Sequence, residues 1–444
     1  MTTAQPNSKL PPSYYEASLA QLDGSQKTRP GYPTLLHQVD CDVCIVGGGF
    51  IGLHTALNLQ ERGLKVVLLE AERIGYGASG RNGGHVIPEF AGNQRNFEKQ
   101  LDMQSAREVW QLAHQAADKL RERIAHYKIN CDYQAGHIEA AISSKHVAAL
   151  QDWQMHVMQN YDYQYQFISQ VEMSQYVGSS GYQAGLLDMN GGHLHPLKLA
   201  LGLAKALKDN GGEIYEHTAA RSWNSEPDKV CVQTAEGEIN CKQLVLGCNV
   251  GIDTIQNYAA HKLAQRILPV ASWVIATEPL TQSVASELLP SRAAVIDMRF
   301  ILDYYRLSVD NRLVFGGGCS YIGQESPAGL VDNMRKKMLK VFPQLSETKV
   351  EFGWGGLIDI SMNRMPDFGY ADDTKRILYA QGFSGSGIVA SMAAARVMTE
   401  AITGNTKNLA MFQCIKHTPF PGGKWLRGPI TAAGVLYHRM LDLV

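Results

Sequence analysis

Residues 41–70 read CDVCIVGGGFIGLHTALNLQERGLKVVLLE. The apolar run over 41–46 predicts a strand. Gly47, Gly49 and Gly52 follow it in the spacing G-x-G-x-x-G and open a helix over about 50–63, which Gly63 closes. A second strand over 64–70 ends on Glu70. In such a βαβ unit the first glycine makes the tight turn, the second lets backbone approach a pyrophosphate, and the third lets helix and strand pack closely. The helix N-terminus then offers free N–H groups and a positive dipole end to phosphates. Glu70 stands 21 positions beyond Gly49 (70 − 49). A carboxylate there accepts hydrogen bonds from ribose hydroxyls and repels a 2′-phosphate, which argues against NADP. Strand, helix, spacing and acid together predict dinucleotide binding and an α/β fold of the Rossmann type.

The rest of the chain narrows the class. Lys plus Arg number 41 and Asp plus Glu 42, so the formal net charge is −1, with no basic stripe of the kind that nucleic acid requires. The first forty residues are polar and contain proline, without the apolar segment of a secretion signal, and no stretch reads as a membrane span. Together with eight cysteines, this predicts a cytoplasmic protein. Cys41 and Cys44 have CxxC spacing but lie inside the strand without a second metal-ligand pair, so no metal is expected.

Glycine is clustered twice more. Residues 75–84, GYGASGRNGG, hold five glycines in ten positions, which suits backbone lying against a flat ligand; Ser79, Arg81 and Asn82 can donate to phosphate or ring oxygens. Residues 382–387, GFSGSG, follow a predicted strand and precede a helix over 387–403 rich in small residues. That second strand-to-helix turn can aim a dipole end at the same ligand, where it would stabilise the negative charge of a reduced flavin. Helical periodicity also appears at 104–128, around 145–160, at 197–210 and at 429–442. Strands dominate 262–350, where FILDYYRLS and RLVFGGG are joined by Asp310-Asn311.

These segments carry a family resemblance. The stretch 40–84, GGHLHPLKLALGLAKALKDNGGEIY at 191–215, LDYYRLSVDNRLVFGGG at 302–318, NRMPDFG at 363–369 and the QGFSGSG turn resemble the D-amino-acid-oxidase-type flavoenzymes over nearly the whole chain. Within that group SYYEAS at 13–18, GASGRNGG, and TPFPGGKWLRGP at 418–429 are most similar to the gamma-glutamylputrescine oxidase branch. The resemblance implies an FAD domain of the glutathione-reductase/D-amino-acid-oxidase kind, with an antiparallel-sheet substrate domain over the flavin. The expected division is an irregular leader over 1–40, a discontinuous FAD domain over 41–128, 191–261 and 351–410, a substrate domain over 129–190 and 262–350, and an extension over 411–444 ending in a helix. FAD should be noncovalent, since FGWGGLIDIS has no cysteine where sarcosine oxidases attach theirs. Expected cofactor contacts are Gly47, Gly49, Phe50, Ile51 and Gly52; Glu70, Ala71 and Arg73; Ala78, Ser79, Gly80, Arg81, Asn82, Gly83 and Gly84; and Gly382, Phe383, Ser384, Gly385, Ser386 and Gly387.

The implied reaction is oxidation of an amine C–N bond, in gamma-glutamylputrescine or a related polyamine derivative. Hydride passes to flavin N5, the imine is hydrolysed to an aldehyde, and O2 or another acceptor reoxidises the flavin, O2 giving H2O2. The alternatives are an oxidase or dehydrogenase of small or N-methyl amino acids, such as glycine, sarcosine or D-amino acids, and a flavoprotein subunit without its own substrate. At the substrate end, strand alternation puts Tyr304 and Arg306 on one face and Tyr305 on the other. Arg306 is then either a reader of substrate carboxylate or an ordinary strand arginine. His85 either faces the flavin or caps the glycine loop.

Overall fold

A computed structural model describes residues 13–22, 31–299, 301–321 and 323–422. Two sheets organise it. The first runs, in spatial order, Asp367–Tyr370, Ile377–Gln381, Glu238–Leu246, Gln38–Val46, Val66–Leu69 and Glu213–Tyr215. Its central pairings are parallel: Gln38–Val46 lies between Glu238–Leu246 and Val66–Leu69. Parallel strands need crossover connections, and the helix Phe50–Gln60 supplies the first of them. That helix is buried over Phe50–Leu59, because Gly387–Ile402, Met103–His126 and Pro196–Asp209 cover the same face of the sheet. Its sequence, apolar almost all round, fits a helix enclosed on every side. The opposite face packs its own core, from Val39, Cys41, Cys44 and Val46 to Leu244, Leu246 and Tyr379.

The second sheet has nine strands. Its order is Val350–Ser361, Ile267–Thr277, Leu313–Ser320, Tyr304–Leu307, Ala294–Asp297, Gln134–Ala141, Ala184–His193 and His85–Val86, with Gln166–Ile168 beside Ala184–His193. It is antiparallel except where Ala294–Asp297 and Gln134–Ala141 run parallel, a departure from the expected all-antiparallel sheet.

Three expectations about the chain's division change. Strand Val350–Ser361 belongs to the second sheet, paired along its length with Ile267–Thr277, so the segment from 351 does not enter the nucleotide-binding unit until after 361. His85–Val86 and the end of Ala184–His193 likewise pair with each other in the second sheet, inside spans assigned to the first. The leader is not irregular throughout: Tyr14–Leu22 is a helix whose Tyr14 and Tyr15 are buried against Leu197, Val274, Val314 and Trp354. Two adjacent tyrosines cover large apolar areas of two different neighbours, which nine residues of weak amphipathic pattern do not announce. The expected helix 429–442 lies outside the described residues.

Candidate active site

Four parallel strands end at the same edge of the first sheet, and each is followed by a residue of the site. Gly47 follows Val46, Glu70 follows Leu69, Gly247 follows Leu246 and Gly382 follows Gln381. Ligands of open α/β sheets lie in this crevice at the carboxyl ends of the strands. Gly47 has φ +113°, and a Cβ on it would stand 2.5 Å from the Gly247 oxygen. A Cβ on Gly52 would stand 1.9 Å from the Gly47 oxygen, so this close packing admits no side chain. Glu70 braces the turn: its Oε2 accepts from the Gly48 N–H at 2.6 Å and its Oε1 from the Glu72 N–H at 2.8 Å. Burial pushes the Glu70 carboxyl up, and those two N–H bonds pull it back down.

The three glycine clusters converge here. Gly75 N–H donates to Gly48 O at 3.0 Å, and the Phe50 N–H donates to Ser79 Oγ at 2.9 Å, joining the second cluster to the first. The third is held by Asp359, whose carboxylate accepts from Gly382 N–H at 2.5 Å and Phe383 N–H at 3.3 Å. Burial pushes the Asp359 carboxyl up to about 7 against those bonds. Between them, burial and then the Glu70 and Asp359 carboxylates push the Cys248 thiol up to about 12. Neither the helix Phe50–Gln60 nor Gly387–Ile402 has a side-chain cap at its entry residue, and a Cβ on Gly387 would meet nothing within 4 Å. The first helix end already gives its Phe50 N–H to Ser79 Oγ and the second faces open space; together they fit an anionic and carbonyl-rich ligand.

The loop 78–84 lies between the sheets and is pinned through three consecutive carbonyls. Trp354 Nε1–H donates to Arg81 O at 2.9 Å, Tyr15 O–H to Asn82 O at 2.8 Å, and Arg306 Nε–H to Gly83 O at 2.7 Å. Arg81 in turn donates from Nε to Gly355 O at 2.6 Å. The Asn82 amide donates to Ala78 O and Ser79 O, and its Oδ1 accepts from the Gly84 N–H. Ser79, Arg81 and Asn82, expected as donors to the ligand, therefore also shape the loop itself.

On the second sheet Tyr304 and Arg306 do share a face, turned to this loop, while Tyr305 stacks with Phe315 in the core behind. A Cβ on Gly83 would stand 2.4 Å from the Tyr304 ring, and one on Gly316 2.0 Å from it, so two glycines clear the space for one phenol. Arg306 holds several protein groups. Besides Gly83 O, it donates to Tyr15 Oη at 3.2 Å and to Leu307 O at 3.4 Å, and it lies over the Tyr15 ring. His85 meets Tyr304 edge-on at 5.3 Å between centroids and His137 at 5.5 Å. Neither of its ring nitrogens has a hydrogen-bond partner. Burial, then the His137, Arg306 and His193 charges, push its pKa well below the ordinary value, so the ring is neutral.

Among the other expected contacts, Phe50, Ile51 and Phe383 are buried packing residues, Ala71 is exposed, and Arg73 pairs at 3.9 Å with Glu16 of the first helix. Ser384 adopts φ +48°, with its N–H on Asp359 O. Sequence reasoning missed Gly247, Cys248 and Asp359. A glycine directly after a predicted parallel strand was a usable signal for the first; nothing local marks Asp359, which reaches the site from the other sheet.

The profile of the family described as FAD dependent oxidoreductase matches residues 42–401. Gamma-glutamylputrescine oxidoreductase of Escherichia coli is 38% identical over 431 residues, covering 97% of this chain and 98% of its own. A probable oxidoreductase, OrdL, of Haemophilus influenzae is 38% identical over 93% of this chain and 94% of its own. Among solved structures, glycine oxidase from Bacillus cereus superposes with a TM-score of 0.66 at 22% identity, over 84% of this chain and 97% of its own. L-Proline dehydrogenase from P. horikoshii does so with a TM-score of 0.69 at 18% identity, over 84% and 94%.

Proposed function

The chain belongs to the FAD dependent oxidoreductase family, and from that premise we propose that it oxidises the C–N bond of an amine, gamma-glutamylputrescine or a related polyamine derivative. It is an FAD-dependent enzyme. The observation that carries the substrate class is the near-complete, 38%-identical match to the E. coli gamma-glutamylputrescine oxidoreductase. Bound FAD supplies the hydride acceptor. Glu70 would hold the adenosine ribose, the two helix ends would take the pyrophosphate and the flavin carbonyl edge, and the pinned loop 78–84 would lie along the ring. Tyr304 and His85 would form the wall facing the amine. Burial pushes the Tyr304 phenol up to about 12, so both groups are neutral and leave a dry site with fixed dipoles. No described helix is long and apolar enough to cross a membrane.

An anaerobic screen of flavin reduction over polyamines, gamma-glutamyl amines and amino acids tests the reading. Bleaching by gamma-glutamylputrescine ahead of glycine, sarcosine and D-amino acids is the expected result; bleaching by the amino acids alone would move the enzyme to the other branch of chemistry. Acid precipitation should leave all the yellow colour in the supernatant, since no cysteine lies in 350–365. A yellow pellet would direct attention to His85 or Cys319. Glu70→Ala removes an acceptor from the glycine turn as well as from the ribose. FAD affinity should fall ten- to a hundredfold, about 1.5–3 kcal/mol; an unchanged value in apoprotein titration would remove this role.

A further inference from the structure

Beside the wall formed by Tyr304 and His85, the second sheet carries carboxylates that the reading above does not use. Strand register places them. Glu139 pairs with Ile296, Ile296 with Tyr304, and Tyr304 with Gly316. Residues opposite one another on paired strands share a face, so Glu139 stands on the face of Tyr304, two strands away. At about 4.8 Å per strand, the two positions are roughly 10 Å apart. Asp188, opposite His137 on the next strand, and Glu89, four residues beyond His85, complete an acidic group. Tyr163 donates to Asp188 and Tyr165 to Glu89, each at 2.6 Å, so two phenols form a wall around the carboxylates.

Two observations turn this from an acidic cluster into a site. Burial raises the carboxyls of Glu89, to about 7, and of Glu139, yet both residues keep accessible surface. Both carboxylates are held among protein groups yet keep an open side that a small ligand can reach. His137, two residues before Glu139 on the same face, is 6% exposed, and its Nε2 has no hydrogen-bond partner. Burial holds that ring neutral, with a pKa near 4, so the nitrogen can accept a proton donor. Arg121, which acts on Asp188, is itself bound to Asn190 O and paired with Asp118, and Arg306 is bound to Gly83, Leu307 and Tyr15. The group of Glu139, Glu89, Asp188 and His137 therefore offers acceptors and negative charge, the complement of a cation.

We propose that Glu139, with His137 Nε2 and Glu89 beside it, binds a second, non-reacting ammonium group of the substrate, roughly 10 Å along the sheet from Tyr304. The site would select long amines that carry a distal cation, and reject the short amino acids that family relatives are named for. This deepens the proposed function and rests on its placing the reacting amine beside Tyr304.

Diaminoheptane, whose two nitrogens are about as far apart as Tyr304 and Glu139, and heptylamine, which lacks the distal charge, test it. Calorimetry on the chemically reduced holoenzyme, which cannot turn the amine over, reads binding alone. The wild-type protein should bind diaminoheptane at least about tenfold more tightly than heptylamine. Glu139→Gln and Glu89→Gln should each shrink that ratio to less than about threefold. Equal wild-type affinity for the two amines would overturn the proposal. So would variants that weaken both amines equally, because that pattern belongs to a structural carboxylate. Flavin reduction is measured separately: a retained diamine preference without bleaching by any amine would sink the oxidation reading and leave the cation site standing.

Discussion

Gly52→Ala should give a protein that purifies colourless. The new Cβ would stand 1.9 Å from the Gly47 oxygen and 3.1 Å from its carbonyl carbon, and both belong to backbone held inside the turn. Neither can rotate away, as a flexible side chain would. The helix Phe50–Gln60 would have to lift from the strand Gln38–Val46, and its buried face, packed against Ala394 and Val397 of the neighbouring helix core, resists that movement. Overpacking a well-filled core costs about 1–3 kcal/mol even where side chains can yield, so a backbone collision should cost about 3 kcal/mol or more. FAD affinity should fall more than a hundredfold, because the same displacement takes the N–H groups away from the phosphates. Gly31→Ala, where an added Cβ meets nothing within 4 Å, provides the control. Wild-type melting temperature and FAD content in Gly52→Ala would mean that the turn is not built as described.

Arg306→Ala should lose stability and FAD together, and should lose activity equally toward amines with and without a carboxylate. The side chain is 3% exposed and holds Gly83 O and Tyr15 Oη. Truncation leaves those buried acceptors without their donor, at about 1–3 kcal/mol each, and opens a cavity behind the loop. The combined cost should be about 3 kcal/mol or more. Arg306→Lys should recover only part, since one ammonium cannot replace a fork directed at two acceptors. Tyr15→Phe should act in the same direction but more weakly, by about 1–2 kcal/mol, through Asn82 O. Because Tyr15 and Arg306 share a bond, their double variant should cost less than the sum of the two singles. Reductive half-reactions with a gamma-glutamyl amine and a simple amine of similar length check the selectivity. A loss confined to the carboxylate-bearing substrate would return Arg306 to the role of substrate reader.

Much of the nucleotide end was legible because its chemistry is local. A glycine turn between a strand and a helix needs its residue types at fixed short spacing, so Gly47, Gly49, Gly52 and Glu70 announce themselves within thirty residues. Tyr304 and Arg306 were assigned to one face by alternation alone, a property of any strand. Their occupations were not legible. Whether an arginine reads a ligand or ties down a loop depends on which carbonyl lies opposite, and Gly83 is 223 residues away in sequence.

By itself, the sequence determined the βαβ unit, the three glycine turns, the Rossmann-type class and the family, all of which follow from short-range backbone requirements. The tertiary structure alone decided that the strand Val350–Ser361 joins the second sheet, that the helix Tyr14–Leu22 locks the loop 78–84, and that Asp359 holds the third turn. It also decided that Glu139 and Tyr304 share one face, through two steps of strand register. The physical reason is common to these cases. Strand pairing and buried hydrogen bonds join residues that lie from tens to more than a hundred positions apart, and a partner's identity is set by which surfaces the whole chain must bury, a quantity that no short window contains.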